Sequence, residues 1–300
     1  MRLLAARTPL SFISGLHRTA CAKGRTFSSI PSIQLSYDEY IPPDGNKTER
    51  PLVILHGLFG SKRNWQSLSK AFMKELERPV YTLDLRNHGS SPHMRPMTYE
   101  HMAADVLSLC QKLSLSKVSL LGHSMGGKVA MSIALSPETP SDLLTDLIVS
   151  DIAPVRAKLS ADIELHIEAM ERIEASNVTS RKQANEILEE YEKDAGVRAF
   201  LLTNLNTDAK PFKFKVPMAI LKEARSEIEF FPYAVGERAW DTRSLFVKGT
   251  RSKYINRHNL PMIKQFFPGS IIEELDAGHW VHAERPNEFK QLVVDFISVS

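Results

Sequence analysis

One serine lies among three glycines, directly after an apolar run, in the stretch LLGHSMGGKVA that covers residues 120–130. Gly122, Ser124 and Gly126 form a G-x-S-x-G motif there, and Gly127 follows it. Glycine suits positions where the backbone dihedral angles are unusual or where another backbone comes close. A strand that turns sharply into a helix at this point exposes the serine hydroxyl, as a nucleophile requires. The spacing therefore predicts Ser124 as a nucleophile, and an ordinary turn serine is the alternative.

A serine hydroxyl needs a base that takes its proton, and we expect that base to be His279. This residue follows the last predicted strand in LDAGHWVHAE, where Gly278 permits a loop at the carboxyl edge of the sheet. A nucleophile, an acid and a late histidine, in that order, are typical of α/β hydrolases. His282 is the second choice. Other histidines near strand ends are expected to shape loops or to be fixed inside the serine turn: His56, His88 and His123.

The base in turn needs a carboxylate that orients it, and the predicted acid is Asp151. No acidic residue occurs between Asp241 and Glu273, and Ser252 stands roughly where an aspartate is expected in many such enzymes. Asp151, in LIVSDIAP, ends the strand that follows the helix after Ser124, so it can reach the same histidine. Capping of the following turn is its alternative role. Two other carboxylates lie too near the base in sequence or beyond the nucleophile strand: Asp276 and Asp84.

Negative charge that develops on a substrate carbonyl needs preorganised donors, usually two backbone N–H groups. One is expected at Met125, directly after the nucleophile. The other is expected in the loop HGLFGS, at Leu58, with Phe59 as the second choice. The alternative is that this loop is an ordinary connection at the end of a strand.

Strand-like and helix-like segments alternate around these residues, which predicts parallel βαβ units and a doubly wound sheet. The strand-like segments are IQLSYDEYI, PLVILHG, VYTLDL, KVSLLGHS, LTDLIVSDIAP, SLFVKG and SIIEEL. From about residue 155 to 240 the pattern is nearly all helical, which predicts a cap over the carboxyl edge of the sheet. The cap supplies apolar side chains that could hold an alcohol: Phe200, Leu201, Leu202, Phe212, Phe214 and Met218.

The composition is that of an ordinary globular enzyme, with 43% hydrophobic and 24% charged residues among 300. No apolar run approaches the roughly 18 residues of a membrane span, so we expect no membrane-spanning segment. The formal net charge of +3 depends on five basic residues before position 28 and becomes −2 without them. The excess of basic over acidic residues is therefore no argument for nucleic-acid binding.

Residues 1–27 are rich in arginine, serine and threonine and contain no acid, which is typical of a mitochondrial transit peptide. A secretory signal fits less well, because Arg7 and Pro9 interrupt its apolar core, and a disordered tail is the other alternative. RTFSS resembles a matrix-protease site, with the cut after Phe27. We therefore expect residence in mitochondria, in the matrix, and a single domain over residues 28–300.

Cofactor and metal chemistry have no support in the sequence. It contains no H-E-x-x-H, no paired CxxC, no GxGxxG and no GxxxxGK[ST]. Of the two cysteines, Cys110 lies on a helical pattern and is expected to be a small buried residue.

Several motifs together resemble one branch of the α/β-hydrolase superfamily. They are HGLFGS, DLRNHGSS, GHSMGG, DIAPV, FLLTNL and AGHWVHAE, and the likeness runs from about residue 33 to the C-terminus. The branch is mitochondrial and contains α/β-hydrolase domain-containing protein 11 and the yeast ethanol acetyltransferases. The resemblance implies an α/β-hydrolase fold, a helical cap inserted after the sixth strand, and a serine triad. It also implies that the acid lies in the DIAP motif, which matches Asp151.

The predicted function is that of a serine hydrolase that cleaves small acyl esters or acyl thioesters, acyl-CoA among them, through an acyl-serine intermediate. An alcohol O-acetyltransferase that makes ethyl acetate from acetyl-CoA and ethanol is the alternative, with esterase and thioesterase side activity. A second alternative is an interaction protein that keeps the fold without turnover. The resemblance leaves open whether water or an alcohol receives the acyl group.

Overall fold

A computed structural model describes residues 30–159, 161–208 and 210–299 of the chain. The predicted transit peptide, residues 1–27, lies outside the described residues. Within them, no helix is both long enough and apolar enough to cross a membrane.

Within the described residues, the central sheet contains seven strands: β1 (Tyr37–Tyr40), β2 (Leu52–Leu55), β3 (Val80–Leu83), β4 (Val118–His123), β5 (Leu144–Ser150), β8 (Ser244–Gly249) and β9 (Ser270–Leu275). Their order across the sheet is β1-β3-β2-β4-β5-β8-β9. Strand β1 pairs antiparallel with β3, and every other neighbouring pair is parallel. This arrangement confirms the predicted mostly parallel sheet.

Helices cover both faces of the sheet, and each face has its own apolar core. One core is formed under α1 (Gln66–Leu76) and α11 (Pro286–Ser298) and includes Trp65 and Phe289. The other lies under α2 (Tyr99–Lys112), α3 (Met125–Leu135) and α9 (Leu260–Phe266). Strand β2 is buried along its whole length, as expected for a central parallel strand that reads as a continuous apolar run. The doubly wound class is therefore confirmed.

The segment between β5 and β8 forms the cap. It contains α4 (Ala161–Ala175), α5 (Arg181–Tyr191), α6 (Ala195–Leu201), α7 (Met218–Glu223), α8 (Arg225–Glu229) and a hairpin of β6 (Leu205–Asn206) and β7 (Lys213–Phe214). The insertion follows the fifth strand of the sheet rather than the sixth, because β1 alone precedes β2 in the described chain. The two-residue strands of the hairpin are too short to produce a sequence period.

Three smaller elements complete the part of the chain that the structure describes: a 3₁₀ turn at Lys62–Trp65, a second at Leu202–Asn204, and helix α10 (Val281–Glu284). Thr98 is the N-cap of α2, since its side chain accepts a hydrogen bond from the His101 N–H. Cys110 is buried on α2, and burial raises the pKa of its thiol to about 12.

The register of the sheet brings the two predicted catalytic loops together. His123, the last residue of β4, pairs with Ser150, the last residue of β5. Because both strands point the same way, Ser124 and Asp151 leave the sheet side by side. Strand β9 pairs with β8, and the chain beyond its end returns to the same edge with His279.

Candidate active site

The backbone at Ser124 is strained, as a sharp strand-to-helix turn requires. Its φ of 52° and ψ of −117° place a non-glycine residue in a region that L-amino acids rarely adopt. A Cβ at Gly122 would lie 2.2 Å from the Gly126 carbonyl oxygen, and a Cβ at Gly126 would lie 2.5 Å from that of Leu55. Both outer positions of the motif therefore need glycine, because three backbone segments meet there.

Ser124, His279 and Asp151 form one chain of hydrogen bonds. The Ser124 Oγ lies 2.9 Å from Nε2 of His279, and Nδ1 of the same ring lies 2.8 Å from Oδ2 of Asp151. A carboxylate only accepts, so Nδ1 carries the proton and Nε2 accepts from the serine hydroxyl. The structure therefore brings together the three residues predicted from the sequence, in the geometry of a serine triad. Their catalytic roles stay a prediction.

Asp151 is fully buried, and several donors hold its carboxylate. Its Oδ1 accepts from the Gly249 N–H at 3.0 Å, and its Oδ2 accepts from the Ser252 hydroxyl as well as from His279. The Tyr254 N–H donates to the Ser252 Oγ at 3.2 Å. Ser252 stands roughly where many such enzymes have an aspartate. Here its hydroxyl supports the carboxylate of Asp151, which follows the neighbouring strand.

The ring and the backbone of His279 are both fixed by neighbours. Tyr254 stacks on the imidazole, with ring centroids 4.0 Å apart and planes inclined by 26°. Nε2 of His123 donates to the His279 carbonyl oxygen at 3.0 Å. Burial holds the pKa of His123 well below its ordinary value, so this ring is neutral. His123 therefore holds the loop that carries His279. The imidazole hydrogen-bonded to the Ser124 hydroxyl is that of His279.

His282, the second choice for the base, lies in the core instead. Its ring stacks on Trp65, with centroids 4.2 Å apart and planes inclined by 10°. Burial lowers the pKa of His282 to about 3. The structure therefore assigns the contact with Ser124 to His279 and not to His282.

His56 and His88 shape loops, as predicted. Nε2 of His56 accepts from the Leu85 N–H at 3.0 Å, while Nε2 of His88 accepts from the Phe59 N–H at 3.2 Å. Burial lowers the pKa of these imidazoles to about 4 and about 3, respectively. Both rings are therefore neutral near pH 7 and can accept at one nitrogen.

Asp84 and Asp276, which fit the role of the acid less well in the sequence, form contacts with the surrounding loops instead. Asp84 accepts from the backbone N–H groups of Lys62 and Ser90, both at 2.8 Å. Asp276 is exposed and pairs with Arg251 and Arg285. The carboxylate that accepts from Nδ1 of His279 is that of Asp151, at 2.8 Å.

The loop after β2 and the start of α3 form the predicted oxyanion region. Leu58 and Phe59 both line the cavity above Ser124, but the Phe59 N–H already donates to Nε2 of His88. Met125 is the first residue of α3, and N–H groups in the first turn have no intrahelical acceptor. These positions favour Leu58 over Phe59 as the partner of Met125, and the oxyanion role of both stays a prediction.

Asn204 is a residue of this region that the sequence did not single out. Its side-chain amide donates to the Phe59 carbonyl oxygen at 2.6 Å, so the cap anchors the oxyanion loop. Asn204 lies in FLLTNL, one of the motifs that carry the resemblance, but 145 positions separate the bonded residues. Only the position of the cap over the sheet reveals the contact.

A cavity of about 510 Å³ lies over Ser124 and His279, between the cap and the sheet edge. Of the six apolar cap residues expected there, Phe200 and Leu201 line it. The other four pack in the core of the cap: Leu202, Phe212, Phe214 and Met218. A roomier groove of about 800 Å³ runs along α2 and contacts none of the three triad residues. Among the described residues, no group of three His, Cys, Asp or Glu side chains is arranged to hold a metal ion.

The chain is similar to known proteins over most of its length. The sn-1-specific diacylglycerol lipase ABHD11 of Xenopus tropicalis is 37% identical over 295 residues, which are 96% of this chain and 90% of the relative. A probable alcohol acetyltransferase of Saccharomyces cerevisiae is 38% identical over 272 residues, 85% of this chain and 79% of the relative.

Among solved structures, an esterase from a marine microorganism matches with a TM-score of 0.77 and 33% identity, over 88% of this chain and 100% of that chain. The model of the alpha/beta hydrolase family matches residues 52–292. With a doubly wound sheet, a serine turn of the expected geometry and these matches, the chain belongs to the alpha/beta hydrolase family.

Proposed function

We propose that this protein is a serine hydrolase that cleaves small acyl esters or acyl thioesters through an acyl-Ser124 intermediate. The observation that carries the proposal is the continuous chain of hydrogen bonds from Ser124 through His279 to Asp151, at 2.9 and 2.8 Å, at the floor of a cavity. Relatives named as a lipase, an acetyltransferase and an esterase support the same class of reaction.

In the proposed reaction, the Ser124 Oγ attacks the acyl carbonyl carbon while its proton moves to Nε2 of His279. The Asp151 carboxylate stabilises the imidazolium that forms, through the Nδ1–H bond. The backbone N–H groups of Leu58 and Met125 stabilise the negative oxygen. His279 then gives its proton to the departing alcohol or thiol as the C–O or C–S bond breaks. Water repeats the sequence on the acyl enzyme, releases the acid and restores Ser124.

An alcohol can replace water in the second half of this reaction, because His279 needs only an O–H group to deprotonate. Similarity to the yeast alcohol acetyltransferase favours this second candidate, in which acetyl-CoA and ethanol give ethyl acetate. Burial of one methylene contributes about 0.8 kcal/mol, which is about fourfold in binding. Ethanol at millimolar concentration therefore gains little over water, and we expect hydrolysis to dominate until the alcohol concentration is high.

The test of the nucleophile is labelling by a fluorophosphonate probe, together with hydrolysis of a short acyl ester. Ser124→Ala should abolish labelling and lower kcat by about 10⁴-fold or more. Ser108→Ala, at an exposed position of α2, is the matched control and should retain both. Labelling retained in Ser124→Ala contradicts the assignment. A parent protein that neither labels nor turns over favours the interaction protein instead.

The acyl acceptor is tested by incubation of acetyl thioester with increasing ethanol, with ethyl ester and free acid measured together. We expect acid in excess at low millimolar ethanol and a rising share of ester as ethanol increases. Ester in excess of acid already at low millimolar ethanol would establish a dedicated acyltransferase.

A further inference from the structure

The oxyanion loop, whose turn runs from Gly57 to Gly60, lies directly against the nucleophile. A Cβ at Gly57 would be 3.2 Å from the Cβ of Ser124. The Gly57 carbonyl oxygen accepts from the Gly60 N–H at 2.9 Å and from Nδ1 of His56 at 2.7 Å. In a planar trans peptide the N–H points opposite to the C=O. The Leu58 N–H, which shares a peptide with this carbonyl, therefore points away from both of these donors.

Phe59, the third residue of this turn, has a strained backbone. Its φ is 59°, and a positive φ at the third position is typical of a type II turn, where glycine is favoured. A type I turn needs no positive φ, and in it the peptide between Leu58 and Phe59 is turned over. A strained residue persists only where the surrounding structure fixes it. The conformation of the oxyanion loop therefore depends on contacts that hold Phe59.

Two side chains that are distant in sequence hold Phe59 from both sides. Its N–H donates to Nε2 of His88 at 3.2 Å, and its carbonyl oxygen accepts from Nδ2 of Asn204 at 2.6 Å. His88 lies in the loop after β3, whereas Asn204 lies in the cap. Both are at most 2% exposed, so water does not replace either contact.

Asn204 is itself fixed within the cap. It ends the 3₁₀ turn that follows α6, and its carbonyl oxygen accepts from the Lys215 N–H at 2.8 Å, next to strand β7. Its side chain is not part of the wall of the cavity over Ser124. A change at Asn204 therefore reaches the nucleophile's surroundings through Phe59 and not through direct contact with a substrate.

We propose that Asn204 is a positioning residue through which the cap holds the oxyanion loop in its strained conformation, with the Leu58 N–H directed at the reacting carbonyl oxygen. The inference rests on the proposed function and adds to it a part for the cap in the chemical step. The position of the cap then determines kcat, and not only the shape of the cavity.

The experiment measures kcat and KM of the full chain for p-nitrophenyl acetate. Asn204→Ala removes the donor, and Asn204→Asp places a second acceptor against the Phe59 carbonyl oxygen. The concentration of active enzyme is taken from fluorophosphonate labelling carried to completion, so an unfolded fraction is not counted. We expect kcat to fall about 10–100-fold, since complete loss of one oxyanion donor costs about 10²–10³-fold. KM should stay within about threefold, because the lost interaction acts in the transition state.

A trifluoromethyl ketone gives a second readout, because Ser124 adds to it and forms a tetrahedral oxyanion. Its affinity should fall by about the same factor as kcat/KM in the Asn204 variants, as expected for a transition-state analogue. An unchanged affinity overturns the positioning role.

Phe59→Gly separates this role from general support of the fold. Glycine adopts a positive φ without strain, so the turn no longer needs the contact with the cap. Asn204→Ala should therefore lower kcat by less than about threefold in the Phe59→Gly background, which a double-mutant cycle measures. An equal loss in both backgrounds overturns the proposal. If Phe59→Gly does not fold, the comparison with the trifluoromethyl ketone decides.

Arg95→Gln is the matched control for a contact between the cap and the sheet domain. Nε of Arg95 donates to Oε2 of Glu223 in the cap at 2.6 Å, and both side chains are exposed. Exposed ion pairs contribute little, so kcat should stay within about twofold. A loss as large as that of Asn204→Ala overturns the specific role of Asn204, as does a rise in KM with unchanged kcat in the Asn204 variants. In these cases labelling and ester turnover by the parent still support the proposed function. Absence of both in the parent contradicts the proposed function itself.

Discussion

At the level of a single residue, Asp151 shows that the carboxylate bonded to His279 follows strand β5 and not strand β8. Its two carboxylate oxygens accept from the Gly249 N–H, the Ser252 hydroxyl and the His279 Nδ1–H. An amide at this position cannot satisfy donors on both sides, because one of its ends is itself a donor. An asparagine therefore disturbs the orientation of the base and also removes the charge that stabilises the imidazolium.

Asp151→Asn should accordingly lower kcat by about 10⁴-fold, with ester hydrolysis as the measurement. Asp276→Asn is the control: Asp276 is exposed and pairs with Arg251 and Arg285, and exposed ion pairs contribute about 0–1 kcal/mol. We expect its kcat to change by less than about threefold. A larger loss in Asp276→Asn than in Asp151→Asn contradicts the assignment of the acid.

Patterns in the sequence, namely a serine among glycines, a late histidine and an acid-free stretch, predict Ser124, His279 and Asp151 as one site, and the structure places their side chains in hydrogen-bond contact. The partners that support them were not predictable in this way. Ser252 and Asp151 are 101 positions apart, and Asn204 reaches Phe59 from the cap. A contact of this kind depends on how two loops or two layers pack, which no local pattern records.

At the level of elements, one buried lysine joins the nucleophile helix to the cap. Lys128 lies one turn after Ser124 on α3, and its Nζ donates to carbonyl oxygens at the end of α8. The last carbonyl groups of a helix have no intrahelical donor, so Lys128 satisfies groups that α8 leaves open. Burial lowers the pKa of Lys128 from its ordinary 10.5 to about 8, partly offset by Glu229.

This lowered pKa makes the stability of the protein depend on pH. In the unfolded chain the lysine keeps its ordinary pKa of 10.5, so between pH 8 and 10.5 the unfolded state binds more protons than the folded state. The free energy of unfolding therefore rises with pH across this window, by up to about 3 kcal/mol from this group. The same increment of the free energy of unfolding is lost as the pH falls from 10.5 to 8.

Lys128→Met should remove this rise, which urea unfolding at several pH values from 7.5 to 10.5 measures as the difference between variant and parent. Lys112→Met, at an exposed position of α2, is the matched control and should keep the parent's pH dependence. A Lys128→Met protein whose stability still rises like the parent's contradicts the assignment of the titration to this residue.

The long helices have a recognisable sequence period, whereas the short elements of the cap do not. Helices α2 and α11 each extend over more than three turns, so their apolar faces repeat often enough to be recognised. Strands β6 and β7 have two residues each, and the Phe214 N–H is held by the Glu174 carboxylate at 2.7 Å. Such a hairpin is stabilised by the helix that it packs on and has no pattern of its own.

At the level of the whole molecule, charge is distributed unevenly along the chain. Five basic residues and no acidic residue precede position 28, and the remainder has a formal net charge of −2. A segment of this composition is typical of a mitochondrial transit peptide. The family match, by contrast, covers residues 52–292, so the basic segment lies apart from the enzyme domain in sequence.

We propose that the basic segment is removed in mitochondria and that the mature protein begins at Ser28. The physical basis of this proposal is the arginine-rich, acid-free composition of the segment. Arg25 lies two residues before Phe27, and the expected cut follows Phe27. N-terminal sequencing of the protein purified from the organelle should return Ser28. Arg25→Ala should reduce cleavage at this position, while Arg18→Ala, which removes the same charge farther from the cut, should retain it. An organellar protein that begins at Met1 contradicts cleavage. A protein found only outside mitochondria contradicts the targeting itself, and leaves the hydrolase proposal unchanged because the triad lies in the domain that follows.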